Sequence, residues 1–157
     1  MRILYKLHLI TDVMKIKKII LADDDEDDVL FFKEALQEID EIELVCVSNE
    51  KELVKQLVIL PLPDIIFMNK CYHHENEFEC IEKLKQDNVL QSIPIAIYSD
   101  TDHEYYIEEA YKSKASMFIP KPSSFQKIKT VLTKVFEIDT AEIIPQPPRD
   151  KFVISAE

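Results

Sequence analysis

Glycine is absent from this chain of 157 residues. Ordinary proteins contain about 7% glycine, and the loops that hold phosphates in nucleotide-binding proteins depend on it. The absence therefore excludes a Walker loop and a dinucleotide-binding fingerprint. Basic residues are also scarce: 19 Lys and Arg stand against 30 Asp and Glu, a formal net charge of -11. Because a polyphosphate is bound by basic surface, nucleic acid is not an expected partner.

Long hydrophobic runs are missing too, since none approaches the roughly 20 apolar residues of a membrane-spanning helix. The three cysteines, Cys46, Cys71 and Cys80, are an odd number without a repeating spacing. Residues 1–13 include Lys6, His8 and Asp12 and are too polar for a secretory signal. We therefore expect neither a membrane protein nor a disulfide scaffold, but a protein of the reducing cytoplasm.

Five short apolar runs recur along the chain, separated by segments with helical periodicity. They are rich in β-branched and aromatic residues and do not alternate with polar ones, which is typical of strands buried on both faces. The runs are Ile19 to Ala22, Leu44 to Val47, Ile65 to Met68, Ile93 to Tyr98 and Met117 to Ile119. Alternating strands and helices predict an α/β fold, with a parallel sheet covered by helices on both faces.

Apolar residues at helical spacing predict which helix faces are buried. Three pairs resemble capping boxes, in which a polar side chain accepts a hydrogen bond at the start of a helix. They are Asn49 with Glu52, Thr101 with Glu104, and Ser123 with Gln126. The best-defined apolar faces comprise Val29, Phe32, Leu36 and Ile39; Ile107, Ala110 and Tyr111; and Ile128, Val131, Leu132 and Val135.

The strand–helix repeat predicts one domain over residues 14–138. Residues 1–13 form an N-terminal extension, and residues 139–157 form a tail that contains Pro145, Pro147 and Pro148. Prolines exclude a helix at their own positions. The tail ends in a short apolar stretch, Phe152 to Ile154. It is therefore expected either to pack on the domain or a neighbouring protein, or to fray as chain ends commonly do.

Polar side chains follow four of the predicted strands. Asp23 and Asp24 come after the first, Asn69 after the third, Ser99 after the fourth and Lys121 after the fifth. The carboxyl ends of parallel strands line one crevice, which is the usual functional site of such sheets. The sequence therefore predicts that these groups converge.

This set of residues resembles the receiver domain of two-component response regulators over about residues 17–138. The segments LADDDEDD, PDIIF, FEC and KP, together with the PPRDKFV tail, are most similar to stand-alone receivers without an output domain. The resemblance implies a flavodoxin-like fold with strand order 2-1-3-4-5. It also implies that the acidic pair Asp23 and Asp24 binds Mg²⁺.

The resemblance implies roles for the other strand-end residues. The backbone carbonyl of Cys71 would complete the metal site, Ser99 and Lys121 would contact phosphoryl oxygens, and Phe118 would be a switching aromatic. Pro122 would be a candidate for a cis peptide bond. The same family contacts partners through a surface that includes Phe118, the fourth helix with its Tyr105, Tyr106 and Tyr111, and the fifth helix. The equal alternative is that two of these three tyrosines belong to the core.

The chain departs from the family at the decisive position, because Asn69 stands where the family has its phosphoacceptor Asp. A carboxamide is neutral and lacks the anionic oxygen that attacks phosphorus. We therefore expect a pseudo-receiver that acts by protein docking, with a histidine kinase, another signalling protein or a second copy as partner, and with no enzymatic activity. Mg²⁺ binding should be weakened, with Asn69 as a neutral ligand. Lys70 is a candidate internal cation, and Lys114 replaces a glycine usual before the fifth strand.

Several alternatives stay open. The chain could be phosphorylated at Asp24, Asp25 or Asp64, or be an unrelated small α/β binding protein or Mg²⁺-dependent phosphatase-like enzyme. Two weaker metal hypotheses also follow from spacing. One is a Ca²⁺ loop formed by Asp23, Asp25, Asp27 and Glu34, and the other is a transition-metal site formed by Cys71, His73, His74 and Cys80.

Overall fold

The computed structural model describes residues 15–69 and 78–157. Its strands are β1 (Lys18–Ala22), β2 (Glu43–Val47), β3 (Ile65–Met68), β4 (Ile95–Ser99) and β5 (Met117–Pro120). Its α-helices are α1 (Glu26–Gln37), α2 (Glu50–Gln56), α3 (Glu79–Gln86), α4 (Glu104–Lys112), α5 (Phe125–Phe136) and α6 (Thr140–Ile143). Short 3-10 turns lie at Leu90–Ser92 and Arg149–Lys151. No helix in these two ranges is long and apolar enough to cross a membrane.

The strands form one parallel sheet in the order β2-β1-β3-β4-β5, which confirms the predicted flavodoxin-like fold. Burial of the strands differs from the prediction at β2. The side chains of β1, β3 and β4 are buried throughout, whereas Glu43 and Cys46 of β2 are exposed. β2 lies at the margin of the sheet, where the helices that cover the centre leave more of its surface in water.

Two hydrophobic layers lie on opposite faces of the sheet. One contains an aromatic cluster, in which the ring of Phe32 meets those of Phe67 and Tyr98 edge-on at 5.0 and 5.6 Å. The other contains Phe118 and the apolar side of α3. The predicted helix faces supply much of both layers, because apolar side chains at this spacing leave water together. Those residues include Phe32, Leu36, Ile107, Ala110, Val131, Leu132 and Val135.

Helix starts agree with the sequence at one of the three predicted capping pairs. Asn49 Oδ1 accepts a hydrogen bond from the Glu52 amide at 2.9 Å, as predicted. The prediction at Thr101 is wrong, because its hydroxyl accepts from the His103 amide and His103 caps α4 instead. The prediction at Ser123 is wrong by one residue, since Ser124 caps α5. Adjacent serines offer the same chemistry, so spacing alone did not separate them.

The predicted cis peptide bond at Pro122 is also wrong. In the described residues the cis peptide bonds precede Pro61 and Pro145. The trans form of an X–Pro bond is favoured by only about 0.5–1 kcal/mol. Proline alone therefore does not determine the isomer.

The C-terminal tail packs on the domain. Phe152 is fully buried, and Val153 forms a parallel bridge with Phe118 beside the outer edge of β5. Ile143 of α6 is buried in the opposite hydrophobic layer. The tail thus contacts both layers and closes one margin of the sheet.

Lys114 adopts a conformation that usually requires glycine. Its φ is 73°, in the left-handed region. The turn that ends α4 follows the Schellman pattern: the Lys114 amide donates to Tyr111 O at 3.1 Å and the Ala115 amide to Ala110 O at 3.4 Å. A side chain with a Cβ is strained there, so this turn contains a local cost that the rest of the fold offsets.

Replacing this lysine by glycine is expected to stabilise the protein. Lys114→Gly relieves a left-handed strain of about 1–2 kcal/mol, partly offset by the greater freedom of glycine in the unfolded chain, about 0.4–1 kcal/mol. The matched control, Lys83→Gly in the middle of α3, should cost about 1 kcal/mol. Urea unfolding of both variants measures the difference. Equal destabilisation by the two changes would contradict the strain at Lys114.

Candidate functional site

The carboxyl ends of four strands bring together the polar groups that the sequence singled out. The β1–β3 ladder continues past the strands, because the Asn69 amide donates to Ala22 O at 2.9 Å. The β4 and β5 ends are joined in the same way, by the Lys121 amide donating to Ser99 O at 2.7 Å. Backbone pairing of parallel strands therefore sets the positions of all these side chains.

Asp23 lies at the centre of the site, and its side chain is 0% exposed. Its Oδ1 accepts hydrogen bonds from the Asp25 amide at 3.0 Å and from Asn69 Nδ2 at 3.1 Å. Its Oδ2 accepts from Lys121 Nζ at 2.9 Å. A buried carboxylate is tolerated only when it is paired and hydrogen-bonded, and Asp23 meets both conditions through these residues.

Lys121 supplies the positive charge of the site. Its side chain is 8% exposed, and Nζ lies 2.6 Å from Asp28 Oδ2 and 3.6 Å from Asp100 Oδ1. Nζ also lies 5.5 Å from the centre of the Tyr98 ring, within range of a cation–π attraction. Burial alone would lower the pKa of Lys121, but its hydrogen bonds to Asp23 and Asp28 outweigh burial and raise it. The raised pKa keeps the ammonium charged at neutral pH, so its contribution to stability is lost only in alkaline solution.

Asn69 is 4% exposed and places a neutral amide beside the buried carboxylate. The amide donates to Asp23 through Nδ2. A second carboxylate at this position would repel Asp23 and could not donate to it when ionised. The local arrangement therefore suits an asparagine.

The other predicted residues are placed as follows. Ser99 is fully buried, and its Oγ accepts from the Thr101 amide at 3.1 Å. Phe118 is fully buried in the hydrophobic layer that contains α3. Asp24 is exposed to solvent. Cys71, which the resemblance implies as a backbone ligand, and Lys70 lie outside the described residues.

A divalent cation does not fit the described arrangement well. Asp23 and Asn69 are brought together, but the oxygens of Asp23 already accept from an ammonium, an amide side chain and a backbone amide. Within residues 15–69 and 78–157, no three His, Cys, Asp or Glu side chains form a group that could hold a metal ion. Among the described residues, Lys121 is the cation that pairs with the buried Asp23 carboxylate.

The structure contradicts the Ca²⁺ loop and describes only one residue of the transition-metal hypothesis. The Ca²⁺ loop is wrong, because Asp25 caps α1 and Glu34 lies inside that helix. In the transition-metal hypothesis, Cys80 is buried on the inner side of α3, where burial raises the pKa of its thiol to about 12. A thiol with this pKa is not a ready thiolate ligand. Its other three members, Cys71, His73 and His74, lie outside the described residues.

Two functional contacts were missed at the sequence level. Asp28 lies in the first turn of α1, where acidic residues are common without any functional role, yet it makes the shortest contact to Lys121. Asp100 directly follows Ser99 at the end of β4, so the rule that strand-end residues form the site could have identified it. Asp28 had no comparable signal, because its position depends on how α1 leans over the crevice.

Comparison with known proteins gives one family match and a set of similar folds. Residues 19–133 match the family model described as the response regulator receiver domain. Solved structures that resemble this chain are response regulators and receiver domains, and they share less than 25% identity with it. At such identity, the likeness between structures shows the fold alone.

Three of these structures illustrate the likeness. The phosphorylated cyanobacterial phytochrome response regulator RcpA has a TM-score of 0.63 and 23% identity, over 80% of this chain and 90% of that one. The Mn(2+)-bound form of response regulator Rcp1 has a TM-score of 0.61 and 18% identity, over 80% and 91%. A signal receiver domain of a histidine kinase from Clostridium thermocellum has a TM-score of 0.67 and 23% identity, over 78% and 98%.

Removing the ammonium of Lys121 should strongly destabilise the protein. Lys121→Met leaves Asp23 buried without its cation, and breaking a buried pair in this way costs about 3–5 kcal/mol. Lys127→Met is the matched control, because Lys127 pairs with Glu157 at the surface and such pairs contribute at most about 1 kcal/mol. Chemical denaturation at neutral pH measures both. A loss in Lys121→Met as small as that of the control would contradict the central role of this pair.

Proposed function

We propose that this chain, which belongs to the response regulator receiver domain family over residues 19–133, acts in two-component signalling as a single-domain regulator. It docks to a protein partner and forms no phosphoaspartate at the residue that follows β3. Receiver domains interact with histidine kinases and other signalling proteins. The proposed partner is such a protein, with a second copy of this chain as the other option. We also propose a cytoplasmic location and no enzymatic activity.

The observation that carries this proposal is the amide of Asn69. The family's phosphoacceptor follows the third strand, and Asn69 follows β3 here. An amide nitrogen is a poor nucleophile because its lone pair is delocalised, and the amide oxygen carries no formal charge. Asn69 also donates to Asp23. The group at the acceptor position therefore serves to satisfy a buried carboxylate.

Metal binding is proposed to be weak. The Rcp1 structure holds Mn²⁺, and in this chain Asp23, Asp24, Asn69 and the Cys71 carbonyl would be the corresponding ligands. Mg²⁺ prefers carboxylates, water and phosphate oxygens, and when bound it would neutralise phosphoryl charge. To bind it, Asp23 would have to give up its contact with Lys121, and this exchange lowers the affinity.

Regulation by a partner follows from the same contacts. A receiver is switched when a ligand binds one of its conformations more tightly than the other. Without an acyl phosphate, we propose that a docking protein supplies that difference in affinity. The pairing of Lys121 with both Asp23 and Asp28 supports this proposal, because it stabilises one arrangement of the crevice without a phosphoryl group.

Phosphorylation at another carboxylate is the remaining alternative within the family. Asp64 is a poor acceptor, since its Oδ2 accepts from the Lys17 and Lys18 amides at the opposite end of the strands. Asp25 caps α1 through its side chain. Asp24 is exposed beside the crevice and is the acceptor to test. Membership of the receiver family excludes the hypothesis that the chain is an unrelated α/β protein.

Intact mass spectrometry tests the proposed loss of phosphorylation. We expect the wild-type chain to gain no phosphoryl group when incubated with Mg²⁺ and an acyl phosphate donor. Asn69→Asp should gain one, because it restores an anionic oxygen at the acceptor position. Asp24→Asn in the wild-type background is the control for the alternative acceptor.

Each outcome distinguishes the proposals. Modification of wild type that is lost in Asp24→Asn would establish Asp24 as acceptor and overturn the account of Asn69. Modification of neither wild type nor Asn69→Asp would show that the crevice cannot perform the chemistry even with a carboxylate.

Thermal unfolding with Mg²⁺ tests the metal proposal. Asn69→Asp should be less stable than wild type without metal, because it places two carboxylates together. Added Mg²⁺ should restore its stability, as a ligand that binds only the folded state stabilises by about 2.7 kcal/mol at 100 times its Kd. Wild type should shift much less at the same Mg²⁺ concentration. An equal shift in both proteins would refute weakened binding.

A further inference from the structure

The C-terminal tail occupies a groove in the manner of a bound peptide. The groove lies between α4 and the outer edge of β5, and we name it the α4–β5 groove. Its lining includes Glu104, Glu108, Tyr111, Ala115 and Phe118, and its occupant is the segment Gln146 to Ile154.

Backbone pairing holds the segment against β5. The Phe118 amide donates to Phe152 O at 2.9 Å, and the Ile154 amide donates to Phe118 O at 2.9 Å. Val153, between these residues, forms the parallel bridge with Phe118. The segment therefore adds a single parallel bridge to the outer edge of β5, and this pairing depends on backbone atoms alone.

A pocket takes the side chain of Phe152. This residue is 0% exposed, and its ring meets that of Tyr111 edge-on with centroids 5.1 Å apart. The pocket belongs to the hydrophobic layer that contains Phe118 and Ala115. An aromatic anchor in a closed pocket is the usual centre of binding energy in protein recognition.

An acidic clamp on α4 takes the side chain of Arg149. Arg149 Nε donates to Glu108 Oε1 at 2.6 Å, and Nη2 donates to Glu104 Oε1 at 2.5 Å. The two glutamates lie one turn apart on the helix, so they flank a single guanidinium. The hydrogen bond to Arg149 lowers the pKa of Glu108. This clamp selects a basic residue three positions before the phenylalanine.

Three further hydrogen bonds orient the segment as it enters the groove. The Tyr111 hydroxyl donates to Pro147 O at 3.0 Å. Gln146 Nε2 donates to Tyr111 O at 2.6 Å and to Ala115 O at 3.1 Å, at the end of α4. Ile143 packs in the opposite hydrophobic layer. The tail is thus also anchored at Ile143 of α6, before the groove begins.

We propose that the α4–β5 groove is a peptide-recognition site for segments with arginine three residues before phenylalanine, and that the chain's own tail occupies it in competition with a partner's segment of the same chemistry. Strand addition with a side-chain pocket is an established mode of peptide binding. The acidic clamp adds the charge preference. The inference rests on the proposed docking function. The groove lies on the surface that the family uses for partners, and the new elements are the chain's own tail as a competing occupant and the arginine–phenylalanine preference of the partner segment.

The competing tail determines how tightly an added peptide is expected to bind the wild-type chain. A segment tethered close to its groove acts at an effective concentration of order millimolar, so an added peptide binds weakly while the tail is in place. A substitution that removes the aromatic anchor of the tail should free the α4–β5 groove for an added peptide. Phe152→Ala does this, and Val153→Ala is the control, because that side chain is 37% exposed.

The test uses a fluorescent peptide that reproduces residues 146–157 and the full-length chain. Binding is measured by fluorescence anisotropy. We expect the peptide to bind Phe152→Ala at least about tenfold more tightly than wild type or Val153→Ala, a difference that corresponds to about 1.4 kcal/mol. A peptide with alanine at either the arginine or the phenylalanine position should lose this gain. Equal binding to all three proteins would place the peptide elsewhere and overturn the proposal.

A second variant covers the case in which Phe152→Ala does not fold. Arg149→Glu leaves the core intact and opposes Glu104 and Glu108 with a third carboxylate. It should speed hydrogen exchange of the Ile154 amide about tenfold, leave the amides of β3 unchanged, and bind the peptide more tightly than wild type. Faster exchange without peptide binding would show that the groove only holds the tail in place, and unchanged exchange would show that the clamp does not hold it.

These measurements are independent of phosphorylation. Phosphorylation of wild type would refute the pseudo-receiver proposal and leave the peptide result standing. Failure of the peptide experiment would remove this docking surface without affecting the account of Asn69.

Discussion

The charge on Asp23 is the constraint on which the crevice is organised. A carboxylate with no exposed surface must be neutralised and hydrogen-bonded, or the fold loses several kcal/mol. Three strands meet this demand: β1 carries the carboxylate, β3 leads to the amide that donates to one oxygen, and β5 leads to the ammonium that contacts the other. The sheet order places β1 beside β3, so Asp23 and Asn69 follow neighbouring strands, whereas β5 lies three strands from β1 and Lys121 contacts Asp23 through its long side chain. The fold therefore provides both the burial of the Asp23 carboxylate and the groups that neutralise and hydrogen-bond it.

Neutralisation by Lys121 also explains how the site accommodates Asn69. A receiver with three carboxylates has an excess of negative charge that a divalent cation relieves. With Asn69 in place, the buried part of the site contains one carboxylate and one ammonium, and Asp28 and Asp100 approach from the rim. Electrostatic balance no longer requires a metal. In the proposed function, this electrostatic balance is the physical link between a single amide and regulation without phosphorylation.

The sequence predicted the architecture well because its main signals are local and additive. Five uninterrupted apolar runs between helical patterns leave few alternatives to a parallel α/β sheet, and the strand-end rule located Asp23, Asn69, Ser99 and Lys121. Features that depend on which of several nearby residues makes a contact were harder to predict from the sequence. His103 rather than Thr101 caps α4, and β2 is less buried than its apolar composition suggested. The contact of Asp28 depends on the tilt of α1, and the seating of Phe152 depends on a pocket built from distant segments, so neither is encoded in a local pattern.

The bridge between Phe118 and Val153 has a consequence for self-association. An open sheet edge presents unpaired backbone groups on which another chain can add, and a sheet with two open edges can extend without limit. Here the tail covers the β5 margin, so the described sheet keeps an open edge only at β2. Edge-to-edge contact through β2 can join two molecules around a twofold axis, and it then stops, because the far side of each molecule is already capped. Within residues 15–69 and 78–157, strand pairing through β2 therefore favours a closed pair of molecules over an extended fibre.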